Sequence, residues 1–315
     1  MLNIRFCDSE RKQQELLAKL SAVPPSFHAP STDADAQILA LSLPELVSAC
    51  EGKDPLNPSD VLEAYGKRCL LAHEATNCLA DIFLNEAVRT ASFSPAISPN
   101  PPLLGVPVSI KECIDVAGHD TTLGYSSRVG HPARESAPIV RLLRDAGALV
   151  YAKTTLPTGC LSFEVSSDVF GRTTNPHNPA FSPGASTGGG GALLAWQGGM
   201  VEVGTDIGGS TRYPAAYCGL YAVKGSHGRF PSHGCEACLP GLDAVPTITA
   251  PLARTLGDLE EFWQRVVSMR PWEYDHTVRV SLSWCTVHDA LMVPDRSSAF
   301  QYPGGRLTMW LMGKN

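Results

Sequence analysis

Short apolar strands alternate with helices in the middle of this chain, and that alternation restricts the fold more than any other feature. The run from Leu104 to Ile110 is apolar, has the length of a strand and ends directly at Lys111. A predicted helix begins at Ser136, and the apolar run 148–152 follows it as a second strand. Alternation of this kind predicts an α/β fold in which helices cover both sides of a sheet.

Further helices are predicted before this region, and a glycine-rich region follows it. One helix is predicted in a leading segment, from Gln13 to Leu20, and helix-start signals occur at Ser42 and Asn57, each with a proline close behind. A stretch rich in serine, proline and asparagine over 92–102 is predicted to be a loop. Within the glycine-rich region we predict, in chain order, a helix over 188–196, a strand over 201–204 and a short helix over 210–217.

Composition and charge narrow the class of protein. The 315 residues are 43% hydrophobic and 18% charged, which is enough apolar material for a sizeable core. The net charge of −6 is spread along the chain without a basic stripe, so nucleic acid is not expected as a partner. No apolar run is long enough to span a membrane, and the N-terminus lacks the apolar stretch of a secretory signal. These features predict a cytoplasmic protein without a transmembrane segment.

The ten cysteines are scattered along the chain rather than spaced like a small disulfide scaffold. In a chain of this size without a secretory signal, they are expected to be reduced thiols. Cys235 and Cys238, with His227 and His233 upstream, could form half of a zinc site, but no second pair with this spacing follows. We therefore expect no metal and no other cofactor.

Residues of chemical interest are concentrated in three segments, 107–112, 183–190 and 204–212. Lys111, at the end of a predicted strand, would by itself be an ordinary surface lysine. The glycines around Ser186 could form a flexible loop or a phosphate cradle, but the Gly-Lys-Ser/Thr ending of a P-loop is missing. Ser210 follows two glycines but does not lie in the Gly-x-Ser-x-Gly turn of the α/β-hydrolases. Each segment alone is therefore ambiguous.

In this order, the three segments resemble the amidase-signature family. The resemblance covers about 42–271 and is densest over 105–229. It is greatest to the fungal acetamidase and fatty acid amide hydrolase branch, through Lys111-Glu-Cys and the sequence Gly-His-Asp-Thr-Thr-Leu-Gly over 118–124. It implies a mixed central sheet covered by helices on both faces, and hydrolysis of a carboxylic amide to an acid and an amine or ammonia.

The resemblance also implies a Ser–cis-Ser–Lys triad that works through an acyl-enzyme. By position, Ser210 is the nucleophile, Ser186 is the bridging serine preceded by a cis peptide bond, and Lys111 is the base. A serine hydroxyl needs a neighbouring base to take its proton, and a lysine is a base only in its neutral form. Ser186 would relay the proton to Lys111 and then deliver it to the leaving amine.

The same resemblance assigns supporting roles to residues around the two serines. The expected oxyanion hole consists of successive backbone N–H groups, those of Ile207, Gly208, Gly209 and Ser210. Asp206 and Arg212 are expected to brace this loop, with a solvated surface pair as the alternative. Thr187 is expected to hydrogen-bond within the triad, where the family usually has a serine.

Several positions depart from the family pattern. Ala185 stands where a glycine usually precedes the cis-serine, Gly190 where serine or glutamate is common, and Gly225 where proline is usual. The pattern stops near residue 275. We therefore divide the chain into a leading segment (1–41), a partial amidase-signature domain (42–275) and a tail unlike the family (276–315).

Most of the usual C-terminal part of the domain is absent, so the fold is expected to be incomplete at that end. One hypothesis is an active amidase on a small-molecule amide, with a homodimer as one expected assembly. The alternative is a truncated amidase-like fragment that is catalytically weak or inactive. A third hypothesis, the amidotransferase subunit of the same family, is disfavoured by the acetamidase-like sequence around Lys111.

Overall fold

The computed structural model describes residues 2–92, 100–239, 241–242 and 244–279, without the side chains of 2–7 and 90–92. Most of the predicted loop over 92–102 and most of the tail over 276–315 lie outside these residues. The α-helices are α1 (Leu2–Ser21), α2 (Asp33–Ala40), α3 (Leu43–Glu51), α4 (Pro58–Thr76), α5 (Leu84–Ser92), α6 (Pro138–Asp145), α7 (Gly188–Ala195), α8 (Arg212–Cys218) and α9 (Leu256–Ser268). The strands are β1 (Leu79–Ile82), β2 (Pro107–Lys111), β3 (Leu149–Thr154), β4 (Ser166–Ser167), β5 (Gly171–Arg172), β6 (Val201–Asp206), β7 (Tyr221–Ala222) and β8 (Ile248–Ala253).

Six strands form one mixed sheet in the order β1-β3-β2-β6-β8-β7. The central strands β3, β2 and β6 run parallel to one another, whereas β1, β8 and β7 are each paired antiparallel. Every residue of β2, β3, β6 and β8 is buried, as expected for strands whose two faces are both covered. The predicted α/β class with a mixed central sheet is confirmed. Strands β4 and β5 form a separate two-stranded sheet.

Helices cover both faces of the sheet. On β8, Leu252 packs in an apolar cluster with residues of α7 and α8, among them Leu194 and Cys218. The next residue, Ala253, belongs to the main core cluster that contains Phe262 of α9. Because successive strand residues point to opposite faces, α7 and α8 lie on one side of the sheet and α9 on the other.

Helix α1 begins at Leu2 rather than at the predicted Gln13, but the other predicted starts of helices and strands are close to the observed ones. Ser42 and Asn57 are the capping residues of α3 and α4, as predicted. The strand expected over 104–110 begins later, at Pro107, and includes Lys111. It begins later because Gly105 adopts a left-handed conformation (φ 74°) and donates its N–H to the Gly147 carbonyl, 3.0 Å away, in a turn before the strand.

Two elements of the glycine-rich region differ from the prediction in their bounds. Strand β6 continues two residues beyond the predicted 201–204 and ends at Asp206. The short helix expected over 210–217 begins at Arg212 instead, as α8. Ser210 therefore lies in the loop between β6 and α8, where its side chain is not held within a helical turn.

The leading segment packs against the domain through ion pairs made by α1. Lys12 lies 3.0 Å from the buried carboxylate of Asp120, and Lys19 lies 2.7 Å from that of Asp81. Asp81 also contacts Nδ1 of His119 at 2.7 Å. Burial lowers the pKa of His119, but its hydrogen bonds with Asp81 and Glu86 raise the pKa by a larger amount. The pKa of His119 therefore lies above its ordinary value. The ion pairs attach α1, which is longer than the predicted 13–20, to β1 through Asp81 and to the loop after β2 through Asp120.

Candidate active site

The residues of the three sequence segments meet at the carboxyl ends of two neighbouring parallel strands. Strand β2 ends at Lys111 and strand β6 ends at Asp206, and the two strands are paired in register from Val108 to Ile110. The loop that carries Ser186 lies directly before α7, on the side of the sheet that α7 covers. This placement is the usual one for a functional site in a sheet with parallel central strands.

Lys111 is fully buried at the end of β2. Its Nζ donates to Ser186 Oγ at 2.6 Å and to Thr205 Oγ1 at 3.0 Å, and it lies 3.4 Å from the Thr205 carbonyl oxygen. All three acceptors are uncharged, so none of these contacts ties the amine into an ion pair. The structure therefore holds a buried lysine amine directly against the hydroxyl of Ser186.

Ser186 is 1% exposed, and the peptide bond between Ala185 and Ser186 is cis, as the resemblance implied. Gly184, two residues earlier, has a φ of 77°, and a β-carbon there would lie 2.8 Å from the Pro214 backbone nitrogen. Ala185, in the place of the usual glycine, is accommodated with 4% exposure. The close approach of this loop to α8 thus requires a glycine at 184 and tolerates an alanine at 185.

Ser210 lines the same cavity as Ser186. The cavity has a volume of about 410 Å³ and is also lined by Thr205 and Ile207, together with apolar residues such as Leu242. Ser210 is half-buried, and its carbonyl oxygen accepts a hydrogen bond from the Thr187 backbone N–H at 2.9 Å. The structure therefore brings Lys111, Ser186 and Ser210 together, with Ser210 more open to the cavity than the other two.

Asp206 organises the loop that carries Ser210. Its buried carboxylate accepts hydrogen bonds from the N–H groups of Gly209 and Thr211 at 2.7 and 3.1 Å. Both carboxylate oxygens also accept from the Arg212 guanidinium, at 3.1 and 3.0 Å. Burial raises the pKa of Asp206, but Arg212 and the two amides lower it to about 2 overall. The Asp206 carboxylate is thus buried and binds both Arg212 and the backbone of the loop. This arrangement braces the loop and differs from that of a solvated surface pair.

The loop that was expected to form an oxyanion hole has one fewer free N–H donor than expected. The Gly209 N–H donates to Asp206 at 2.7 Å, so of the four expected donors those of Ile207, Gly208 and Ser210 remain as candidates. A β-carbon at Gly208 would meet no atom within 4 Å, so the space beside this residue is open. Gly209 has a φ of 123°, and a side chain there would overlap the Tyr213 ring. Lys224 supports the loop by donating to the Ile207 carbonyl at 3.0 Å.

Thr187 does not make the side-chain hydrogen bond that was expected of it. Its Oγ1 is buried and has no hydrogen-bond partner among the described residues. Its methyl group instead fills the space that Gly204 leaves, since a β-carbon there would lie 2.6 Å from Thr187 Cγ2. The residue supports the site through its backbone N–H, which donates to the Ser210 carbonyl.

Sequence reasoning missed three residues beside Lys111. Thr205 holds the amine, and its Oγ1 also lies 3.5 Å from the thiol of Cys113. Cys160 lines the cavity together with Ser186 and Thr205. Thr205 stands inside the motif of the third segment, and Cys113 follows Lys111 by two residues, so spacing could have indicated both. Cys160 lies far from the motifs in the chain, and no sequence signal pointed to it.

Glu202 occupies the space opened by the glycine at position 190. A β-carbon at Gly190 would overlap the Glu202 carboxyl group, which is fully buried in the middle of β6. Ser109 Oγ donates to one carboxyl oxygen and Thr154 Oγ1 donates to the other at 2.6 Å. Burial raises the pKa of Glu202 to about 7, against the effect of these hydrogen bonds. A buried carboxyl from the strand thus stands where the family usually has a polar side chain on the helix.

The comparison with known families decides the identity. The model of the family described as Amidase matches residues 60–289, more than two thirds of the chain. The chain belongs to the Amidase family. Its similarity to known amidases extends from the sequence to the fold.

Similar proteins include fungal and animal amide hydrolases. An acetamidase of Aspergillus oryzae is 38% identical over 73% of this chain, and fatty-acid amide hydrolase 1 of Sus scrofa is 35% identical over 80%. A solved structure of a fatty acid amide hydrolase superposes with a TM-score of 0.81 and 27% identity, over 89% of this chain. The chain spans 43% of the length of each of the first two proteins and 54% of the solved one. It thus corresponds to about half of such a protein.

No helix in the described ranges combines the length and the apolar character needed to cross a membrane. Cys235 and Cys238 both line the cavity, but in the part of the chain that the structure describes no three His, Cys, Asp or Glu side chains are grouped so that they could hold a metal ion.

Proposed function

We propose that this protein hydrolyses carboxylic amides, with Ser210 as the nucleophile, Ser186 as the proton relay and Lys111 as the base. The observation that carries the proposal is the 2.6 Å hydrogen bond between Lys111 Nζ and Ser186 Oγ, at the base of a cavity that Ser210 also lines. Membership of the Amidase family and the printed names of its relatives support the same reaction class.

In the proposed mechanism the proton of Ser210 moves to Ser186 as Ser210 Oγ attacks the amide carbonyl, while Ser186 passes its own proton to Lys111. Lys111 must begin this step as a neutral amine. Its hydrogen-bond contacts are all with uncharged oxygens, those of Ser186 and Thr205. The proton then returns through Ser186 to the leaving nitrogen, and an acyl-Ser210 ester remains.

Charge that develops on the carbonyl oxygen would be stabilised by the N–H groups of Ile207, Gly208 and Ser210. Each such donor contributes about 3–4 kcal/mol to lowering the barrier in comparable sites. The hydrogen bonds from Gly209 and Thr211 to Asp206 hold the loop in place before substrate binds. Water would then attack the ester by the same route in reverse, and the free acid would leave.

Hydrolysis of short and long acyl amides by the purified chain, followed as release of ammonia or amine, tests this proposal. We expect turnover by the wild type and a loss of about a thousandfold or more in Ser186→Ala, because relay and leaving-group acid are lost together. Ser127→Ala is the matched control, since Ser127 is an exposed serine outside the cavity. A well-folded chain without turnover would instead support the inactive-fragment hypothesis. The cytoplasmic location and the homodimer stay predictions.

A further inference from the structure

The candidate active-site cavity contains a carboxylate that the proposed hydrolysis does not use. Among the described residues that line this cavity, Glu236 alone has a charged side chain. The others are apolar, such as Leu161 and Leu242, or small and uncharged, such as Ser186 and Ser210. A single charge in an otherwise neutral cavity distinguishes ligands by their own charge. Its effect on a substrate depends on which part of the bound amide lies beside it.

Backbone contacts fix Glu236 beside the chain that leaves β2. Its N–H donates to the Cys113 carbonyl at 2.7 Å, and the preceding residue, Cys235, forms an antiparallel bridge with Ile114. Both contacts lie a few residues after Lys111, which ends β2. Glu236 is therefore held on the side of the cavity where β2 ends, and not by the loop after β6.

The proposed reaction places the leaving nitrogen on the same side. When the amide C–N bond breaks, the acyl group stays on Ser210 Oγ and the nitrogen takes a proton from Ser186 Oγ. Lys111, at the end of β2, lies 2.6 Å from that Ser186 oxygen. The carbonyl oxygen would meanwhile face the loop after β6. The substituent on the leaving nitrogen would thus extend past Ser186 toward Glu236.

The ion pair of Glu236 leaves part of its carboxylate available. Arg128 donates to Oε2 at 3.0 Å, and no described residue donates a hydrogen bond to Oε1. The side chains of Arg128 and Glu236 are 40% and 42% exposed. Both residues line a second cavity, but only Glu236 also lines the active-site cavity. A ligand in the active site therefore meets the carboxylate and not the guanidinium.

We propose that Glu236 selects amides whose leaving amine carries a second, positively charged nitrogen, such as monoacyl derivatives of a short diamine. This inference rests on the proposed amide hydrolysis and names the amine side of its substrate. The ammonium group pairs with Oε1 of Glu236 while Arg128 stays on Oε2. A neutral amine substituent gains no such contact, and a negatively charged one is repelled by the carboxylate.

Hydrolysis of hexanoyl amides with amines of matched size tests this selectivity. The amines are ethylenediamine (cationic), propylamine (neutral) and β-alanine (anionic), and kcat/KM of the full chain should fall in that order. We expect the cationic amide to exceed the neutral one by about fivefold, as for a half-exposed charge pair. Glu236→Gln should remove most of this difference. Equal kcat/KM for the wild type, or an unchanged preference in Glu236→Gln, would overturn the inference.

Glu164→Gln is the matched control. Glu164 is exposed and lies 3.7 Å from Arg172, so its replacement also breaks an exposed pair of glutamate and arginine. It lines neither of the two cavities. This variant should keep the wild-type preference. Loss of the preference in Glu164→Gln as well would show that it follows from the net charge of the protein and would overturn the role of Glu236.

Arg128→Ala separates recognition by Glu236 from a structural role of the ion pair. If Glu236 binds the ammonium group, removal of the competing guanidinium should raise the preference for the ethylenediamine amide above that of the wild type, whereas Glu236→Gln lowers it. If the pair only stabilises the fold, both variants should change kcat/KM for all the amides by the same factor. That result would contradict the proposal.

Binding to Ser210→Ala decides the inference even if the wild type hydrolyses none of these amides, a result that would refute the proposed function. Isothermal titration calorimetry should show tighter binding of the ethylenediamine amide than of the propylamine amide, by a similar factor. The preference should be absent when Glu236→Gln is added to Ser210→Ala. Equal Kd values for the two amides in Ser210→Ala would overturn the selectivity, whether or not the wild type is active.

Discussion

The buried polar floor of the cavity and its exposed apolar wall are held in place by different interactions. Ser186 and Thr205 line the cavity, and we call them the floor together with Lys111, which contacts both, and Asp206, which follows Thr205. Each of the four is 4% exposed or less and is held by hydrogen bonds. We call Leu161, Leu239 and Leu242 the wall; these side chains are 62%, 53% and 43% exposed.

The positions of the floor side chains are fixed more strictly than those of the wall side chains. Buried polar groups must find partners, so each floor residue restricts the position of the next. Exposed leucines meet no such requirement, and their exact positions matter less to the fold. We therefore expect large effects from changes in the floor and small ones from changes in the wall, in the following order.

Ser210→Ala should abolish amide hydrolysis and leave the fold intact. The loss is complete because Ser186, the other cavity serine, is engaged by Lys111 and cannot replace the nucleophile. Turnover together with thermal unfolding of both proteins checks this. Residual wild-type turnover at an unchanged melting temperature would contradict the assignment of Ser210.

Lys111→Arg should lower the rate by about a thousandfold or more, because arginine stays protonated at any working pH and cannot act as a base. Lys111→Ala should retain a weak activity that rises with pH, since hydroxide replaces the missing base. The pH–rate profiles of both variants provide the measurement. If Lys111→Arg gave a wild-type profile, the lysine would be a structural residue only.

Asp206→Ala should reduce stability by about 2–4 kcal/mol near neutral pH, because Arg212 loses its buried partner and two loop amides lose their acceptor. The folded-state pKa of Asp206, about 2, lies below its unfolded value of 3.8. The stabilisation is therefore present above pH 4 and is lost as the pH falls toward 2. Denaturant unfolding at pH 7 and pH 3 should show the gap between wild type and variant narrowing in acid; a constant gap would argue against the ion pair.

Glu202→Gln tests a buried carboxyl group of β6, outside the floor, whose pKa is shifted in the opposite direction to that of Asp206. The folded-state pKa of Glu202, about 7, lies above the ordinary value of 4.5, so the folded protein binds the extra proton. The free energy of unfolding of the wild type should fall as the pH rises from about 4.5 to about 7, because Glu202 loses its proton. The glutamine variant should not show that fall. At pH 8 we expect the variant to be the more stable protein by roughly 1–3 kcal/mol. Parallel pH profiles of the two proteins would show that Glu202 is not protonated in the fold.

Leu239→Ala in the wall should have the smallest effect. An exposed side chain contributes little to the core, so the stability change should stay within about 0.5 kcal/mol. If the wall contacts the acyl chain, KM for an apolar amide should rise while kcat is kept. Steady-state kinetics with a short and a long acyl amide separate these effects. A drop in kcat as large as that of a floor variant would contradict the expected difference between floor and wall.

The fold could be predicted from sequence wherever a local rule was sufficient. Ser42 and Asn57 indicated helix starts through capping, and the apolar runs at β2, β3 and β6 indicated strands. The exact bounds depended on tertiary contacts that a sequence pattern does not contain. The turn at Gly105 delayed β2, and Ser210 stayed outside α8 because Asp206 captures the amides on either side of it.

The floor could be located from motif spacing, but its hydrogen bonds could not. Two groups had been assigned from their position in the motif: the Gly209 amide to the oxyanion hole, and the Thr187 hydroxyl to the triad. In the structure the Gly209 amide donates to Asp206, and the Thr187 hydroxyl has no hydrogen-bond partner among the described residues. Cys160 lines the same cavity as Ser186 and Thr205 although it lies far from the motifs in the chain, and a sequence pattern does not contain such proximity.

Site mapping of a fluorophosphonate label on the full chain tests the central claim most directly. The reagent is attacked by an activated serine, so it reports the nucleophile without requiring knowledge of the natural amide. We predict a single labelled peptide that carries the adduct on Ser210, no label in Ser210→Ala, and much slower labelling in Lys111→Arg. Labelling of another serine, or equal labelling of Ser210→Ala and the wild type, would contradict the triad.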